Sequence, residues 1–213
     1  RLFGRGSSDD KGGFAVHLAA LQAFGGRPPV GVTLFIEGEE EVGSTDLDQL
    51  LEQHREELAA DVFVIADSGN WAVGQPAFTT SLRGLAGCTV EVRTLDHGVH
   101  SGEYGGVVPD ALTALCRLLA TLHDDQGNVA IAGLATAPAP ALEYPPERLR
   151  AESGLLDGVG WIGTGSFVER MWCKPAISVI APETKKVDKA SNTLITAERA
   201  RISARTATGE DAA

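Results

Sequence analysis

No stretch of this 213-residue chain approaches the ~18 consecutive apolar residues of a membrane-spanning helix. Its start, Arg1-Leu2-Phe3-Gly4-Arg5-Gly6, lacks the charged, apolar and small-residue order of a secretory leader. Both absences argue against a membrane or export role and for the cytoplasm. Cysteine is scarce: Cys88, Cys116 and Cys173 are odd in number, far apart and in no CxxC arrangement. A disulfide framework and a thiolate zinc site are therefore not indicated, and the three are expected as core thiols. Positive charge is also in deficit, with 18 Lys and Arg against 29 Asp and Glu for a formal net charge of -11. Because phosphate binding needs a basic face, and Lys185-Lys186 is the only basic cluster, nucleic acid and anionic membrane are excluded as partners. The surplus carboxylates are either a solvated surface or, in part, gathered around cations.

What is present suffices for a folded core. With 43% hydrophobic and 22% charged residues, and at roughly 100 to 200 residues per domain, one or two soluble domains are expected. From Asp9 onward Phe14, Leu18 and Leu21 recur at helical spacing, and Gly25-Gly26 with Pro28-Pro29 end the segment. Residues 30–36 form a short apolar, β-branched run without polar alternation, which predicts a strand buried on both faces. Thr45 and Asp48 have capping-box spacing, and Leu47, Leu50, Leu51 and Leu58 predict a second helix closing near Ala59. Residues 61–66 read as another buried strand. The order helix, strand, helix, strand implies an α/β domain, a parallel sheet with helices on both faces.

The character changes near Gly74. Cys88, Val90 and Val92 alternate with Thr89, Glu91 and Arg93, the period of a strand with one face in water. Pro109 is expected as a first-turn proline of a helix striped by Val108, Leu112, Leu115, Leu119 and Leu122. Residues 133–146, rich in Ala and Pro, read as an irregular loop, and 176–180 and 194–203 as further strands. Half-exposed strands with few helices predict a second, smaller α+β domain to about Arg205.

Ligands of parallel α/β sheets gather beyond the carboxyl ends of the strands. Three acidic positions are expected there: Glu40-Glu41 after the strand ending at Ile36, Asp67 after the strand ending at Ala66, and Asp9 in the Gly-rich turn before the first helix. Singly, each has an ordinary reading as a helix cap, a turn residue or a solvated loop. Converging carboxylates repel one another unless cations sit between them, so a joint site favours metal ions. Zinc accepts carboxylate oxygen, and one carboxylate can bridge two zinc ions. Adjacent Glu40 and Glu41 point in different directions, so one can bind metal while the other handles a water proton.

On these residues the chain resembles the zinc-dependent dipeptidase and aminoacylase family, which includes the carnosinases, the cytosolic nonspecific dipeptidases and, more distantly, deacetylases and desuccinylases of amino-acid synthesis. Gly4-Arg5-Gly6-Ser7-Ser8-Asp9-Asp10-Lys11-Gly12 resembles the bridging-aspartate motif, which implies Asp9 between two metals. Residues 37–44 resemble the general-base motif, with Glu40 as base and Glu41 as ligand of one metal, and Asp67 is similar to the ligand of the other. His100-Ser101-Gly102-Glu103-Tyr104-Gly105-Gly106 resembles the segment whose histidine crosses a dimer interface to polarise the scissile carbonyl in the partner's site. The segments around Asn192 and Arg205 resemble late lid strands, implying that Arg205 binds the substrate carboxylate and Asn192 contributes from the other subunit.

The resemblance implies a homodimeric hydrolase of dipeptides or small peptides holding two zinc ions, with manganese an alternative, and using Glu40 as general base. It also implies a partial metal-binding catalytic domain over residues 1–74, an inserted ferredoxin-like lid and dimerisation domain over 75–205, and a return to the first domain over 206–213. The family's His-x-Asp motif and final histidine are absent between Arg1 and Ala213, so a chain truncated at both ends, inactive alone, is expected. Thr196 and Ala204 depart from the family's usual proline and bulkier apolar residue. A deacetylase or desuccinylase of N-acylated amino acids, or a non-catalytic dimerisation module, is the alternative.

Overall fold

A computed structural model of the chain describes residues 3–210, which fall into two units, one up to Thr79 and one from Thr80 onward. In the first unit, helix α1 (Lys11–Ala23) is capped by Asp10, whose Oδ1 accepts the Gly13 N–H at 3.0 Å. This satisfies one of the amide donors that a helix start leaves free. The helix ends where Gly25 and Gly26 take left-handed φ angles of 59° and 73°, as the glycine pair foretold. Helix α2 (Leu47–Gln53) is shorter than expected, and its cap residue Asp46 makes no side-chain capping bond, so the Thr45/Asp48 capping box does not form.

The expected parallel sheet is absent among the described residues. Neither residues 30–36 nor 61–66 form a strand, and their apolar side chains stand open, Val62 at 74% and Ile65 at 83% of full exposure. A strand exists only through its ladder partners, and no second strand lies beside either run among the described residues. No described residue of this unit is buried.

The second unit holds the core. Strands β1 (Gly84–Arg93), β2 (Ala176–Glu183) and β3 (Ala197–Thr206) form an antiparallel sheet in the order β1-β3-β2. Gly84 faces Thr206 and Arg93 faces Ala197 in one ladder; Ala176 faces Arg205 in the other, with a bulge between Val179 and Ala181. Along β3, Glu198, Ala200 and Ile202 are buried while Arg199 and Arg201 are exposed, the two-residue period of a sheet covered on one face. The cover is helix α4 (Ala111–Ala120), which packs on β1 and β3 through buried Ala111 and Leu115. Short helix α3 (Ser101–Tyr104) lies between β1 and α4 in the chain, and α5 (Pro146–Ser153) follows α4. A π-helical turn, Glu169–Cys173, adds Cys173 to the buried residues, which also include Val168 and Ile177.

Several expectations need correction. Pro109 precedes the cap Asp110 and is not in the first turn of α4, because Asp110 supplies the capping oxygen. The expected loop over 133–146 gives way at Pro146, a helix-compatible first residue, to α5. Cys88, on an edge strand, and Cys116, next to buried Leu115 but facing out, are exposed; only Cys173 is a core thiol. The order β, three helices, β, β also differs from the ferredoxin-like βαββαβ pattern. No helix among the described residues is long and apolar enough to cross a membrane.

Candidate metal and catalytic site

The loop before α1 is held by its own backbone. Ser7 N–H donates to Gly4 O at 3.2 Å, Lys11 N–H to Gly6 O at 3.3 Å and Gly12 N–H to Ser8 O at 2.7 Å. This fixes Asp9 and Asp10 at the helix start. Gly13, in the first turn, then lets a second segment come close: a Cβ there would lie 2.4 Å from the Ala66 carbonyl oxygen and 2.3 Å from Asp10 Oδ1. Only glycine permits that approach. The residue after Ala66 is Asp67, and carboxylate oxygens of Asp9, Asp10 and Asp67 all lie within 4.8 Å of one another.

The glutamates sit on a 3₁₀ turn, Glu40–Val42, closed by Gly43 at φ 100°. Three of the four carboxylates in this run brace structure. Glu37 Oε1 accepts the Glu39 N–H at 3.2 Å, Glu39 Oε2 accepts the Asp46 N–H at 3.2 Å, and Glu41 Oε2 pairs with Arg5 Nη1 at 3.0 Å. Among the described residues nothing pairs with Glu40, which is exposed. Loss of hydration first, then the negative charges of Asp67, Glu41, Asp9 and Glu37, push its carboxyl above the usual range. Those same charges place all four carboxylates within electrostatic reach of Glu40.

The structure thus brings Asp9 and Asp67 together with Glu40 nearby, but adds Asp10 to the carboxylate group and leaves Glu41 on Arg5. The sequence assigns the helix-cap reading to Asp9, whereas the structure gives the cap to Asp10; the adjacency of Asp10 to Asp9 was the available signal for its place in the group. The donor set fits a divalent cation: three oxygen donors close enough to share one ion, whose mutual repulsion a cation relieves. No histidine joins this group among the described residues.

In the second unit His100 caps α3, its Nδ1 accepting the Gly102 N–H at 3.0 Å. With Nδ1 as acceptor, the neutral ring carries its proton on Nε2. His100 also forms an antiparallel bridge with Thr193, and Asn192 O accepts the Ser101 N–H at 2.8 Å, so His100 and Asn192 are neighbours. Arg205 is exposed near the end of β3. Half-buried Arg83 lies close enough that burial first, and then the Arg205 guanidinium, lower its basicity. No spacing rule pointed to Arg83.

A model of peptidase family M20/M25/M40 matches residues 1–213. The chain belongs to this family. The motif resemblance carried by Asp9, Glu40, Glu41, Asp67 and His100 agrees with that membership. Cysteinylglycine-S-conjugate dipeptidase of Corynebacterium striatum is 39% identical over 198 residues, covering 90% of this chain and 44% of the relative. Beta-Ala-His dipeptidase of Homo sapiens is 34% identical over 148 residues, 67% of this chain and 29% of the relative. The solved structure of the dipeptidase Dug1p of Saccharomyces cerevisiae superposes with a TM-score of 0.73 at 26% identity, covering 98% of this chain and 47% of that one. The chain therefore spans less than half the length of these relatives.

Proposed function

We propose that this chain is part of a metal-dependent dipeptidase that hydrolyses the amide bond of dipeptides or small peptides. The observation that carries the reading is the meeting of Asp9 and Asp67, distant in sequence, beside a glutamate that has no structural partner among the described residues. Asp9, Glu41 and Asp67 are the proposed metal ligands, with Asp10 adding negative charge and a further oxygen; Glu41, which pairs with Arg5, would hold the cation in place of that pair. Two zinc ions, or manganese, suit these donors, and a bound cation supplies Lewis-acid stabilisation of the charge that develops on the carbonyl oxygen.

The chain's own groups account for the proton transfers. Glu40 takes a proton from the attacking water and returns it to the leaving amine, a role that suits an accessible carboxylate whose affinity for protons is above the usual range. His100 donates from Nε2 to the developing oxyanion, since its Nδ1 is taken by the Gly102 amide. Asn192, beside His100, adds a second polar contact. Arg205, with the positive charge of Arg83 near it, receives the substrate's carboxylate. His100 and Asn192 serve the partner's site in a homodimer formed through a lid built on the antiparallel sheet.

The names of the relatives favour dipeptides over N-acylated amino acids. The test compares an S-substituted Cys-Gly, β-Ala-His and an N-acetyl amino acid as substrates of the protein as its gene encodes it, with zinc or manganese added. Faster hydrolysis of the dipeptides is expected. Preference for the acetylated substrate would favour the deacylase alternative, and no hydrolysis of any with metal bound would leave only a dimerisation module.

A further inference from the structure

Helix α4 does more than cover the sheet, because its cap residue reaches across to the chain that precedes β3. Asp110 Oδ1 accepts the Thr113 N–H at 2.9 Å and the Thr113 hydroxyl at 3.1 Å, which is ordinary capping. Its other oxygen, Oδ2, accepts the Ile195 N–H at 2.7 Å. Ala111 N–H donates back to Ile195 O at 2.9 Å, so the start of α4 grips residue 195 by both its backbone groups. From Ile195 the contacts run directly to the candidate donors: Leu194 N–H to Val99 O at 2.9 Å, the His100–Thr193 bridge, and Ser101 N–H to Asn192 O at 2.8 Å. Close packing reinforces the strip, since a Cβ at Gly98 would lie 2.7 Å from Thr193 Cγ2.

We propose that Asp110 is a positioning residue for hydrolysis, tying the α4 start to Ile195 and thereby holding His100 and Asn192 as one donor pair. The inference rests on the roles given to His100 and Asn192 above. A half-buried carboxylate suits the task because its charge strengthens each bond it accepts. Burial works against the charged form, but the amides of Thr113, Ile195 and Leu112 and the Thr113 hydroxyl outweigh it and hold the carboxyl below its usual range. Buried Glu198 on β3 lies within electrostatic reach of Asp110, and its carboxyl is pushed above the usual range by burial first, then by the charges of Glu183 and Asp110. Neither Asp110 nor Ile195 is placed in contact with substrate, so the effect passes through His100.

Capping and positioning can be separated by substitution. Serine caps helices well but is too short to reach Ile195, so Asp110→Ser keeps the α4 cap and removes the side-chain half of the tie, leaving Ile195 held only by the Ala111 N–H. In the protein as its gene encodes it, loaded with zinc and assayed on β-Ala-His, Asp110→Ser is expected to lower kcat roughly 10-fold to 100-fold, the scale of a misplaced catalytic group, with KM within about twofold and zinc content unchanged. The double variant Asp110→Ser/His100→Ala is expected to lose much less than the product of the two single losses, because with His100 gone only Asn192 is left for Asp110 to position. Wild-type turnover in Asp110→Ser, or losses that simply multiply in the double variant, overturns the inference. If His100→Ala itself turns over normally, the His100 reading fails instead. Asp110→Asn, which keeps the size and one acceptor but turns an amide donor toward the second N–H, is expected to follow the same pattern and carries the test should the serine variant not accumulate.

Discussion

Gly13→Ala tests the carboxylate cluster at the point where backbone geometry creates it. Inside a helix this exchange ordinarily stabilises a protein by about 0.5–1 kcal/mol, because alanine loses less conformational freedom on folding. Here the added Cβ would stand 2.4 Å from the Ala66 carbonyl oxygen and 2.3 Å from Asp10 Oδ1. A close carbon–oxygen contact is roughly 3.3–3.6 Å, so the backbone at residue 66 must retreat by about 1 Å. Asp10 can rotate away only by giving up its 3.0 Å bond to the Gly13 amide, and with it the cap of α1. Either adjustment spreads the Asp9–Asp10–Asp67 group, whose carboxylate oxygens lie within 4.8 Å of one another. Metal sites tolerate displacements of about 0.2 Å in ligand distance. The expected result is therefore a zinc affinity lower by about 10-fold or more, measured by titration against a competing chelator, with helical circular dichroism close to wild type. Wild-type zinc affinity in Gly13→Ala would show that the approach of residues 66–67 to α1 has no bearing on metal binding, and the cluster would then be only an acidic surface.

Two further tests address other parts of the protein. Glu198 is buried, and burial first, then Glu183 and Asp110, raise its carboxyl above the usual range; its contribution to stability is thus greatest below the unfolded pKa of about 4.3 and is lost as pH rises through the higher folded value. Glu198→Gln is accordingly expected to raise the urea midpoint at pH 8 and to lose that advantage below about pH 4, and equal shifts at both pH values would contradict the assignment. For the dimer, mixing inactive His100→Ala with inactive Glu40→Gln is expected to restore activity at about one quarter of the sites, since half of randomly formed dimers are mixed and each has one intact site; no recovery after subunit exchange would mean that His100 serves its own chain.

Helix α4 and the three strands of the second unit could be read in advance because their patterns are local. Leu112, Leu115 and Leu119 declare a helical face, and Val90 and Val92 declare a strand face, without reference to any partner. Residues 30–36 and 61–66 carry equally plain strand composition, yet composition states only what a segment can pair as, and pairing is decided elsewhere. Helix α5 was hidden because Pro145-Pro146 reads as a breaker until proline is recognised as a tolerated first-turn residue. The acidic positions were legible through motif, but the choice between Glu41 and Asp10 as neighbour of Asp9 and Asp67 was not. That choice depends on whether Arg5 reaches Glu41, a contact across 36 residues that no periodicity encodes.

The two units achieve side-chain placement by different physical means, and this bears on what each can do alone. Around Asp9 no described residue is buried, so the carboxylates are held by turn hydrogen bonds and by the missing Cβ of Gly13. Like charges brought together this way gain nothing from packing to offset their repulsion, and a cation supplies the attraction the fold does not. His100 and Asn192, by contrast, are anchored through Ile195 and Asp110 to a helix whose Ala111 and Leu115 sit in the one buried core among the described residues. Their geometry needs no ligand. Loss of metal is therefore expected to cost the carboxylates of the first unit their order and to leave His100 and Asn192 of the second unit in place.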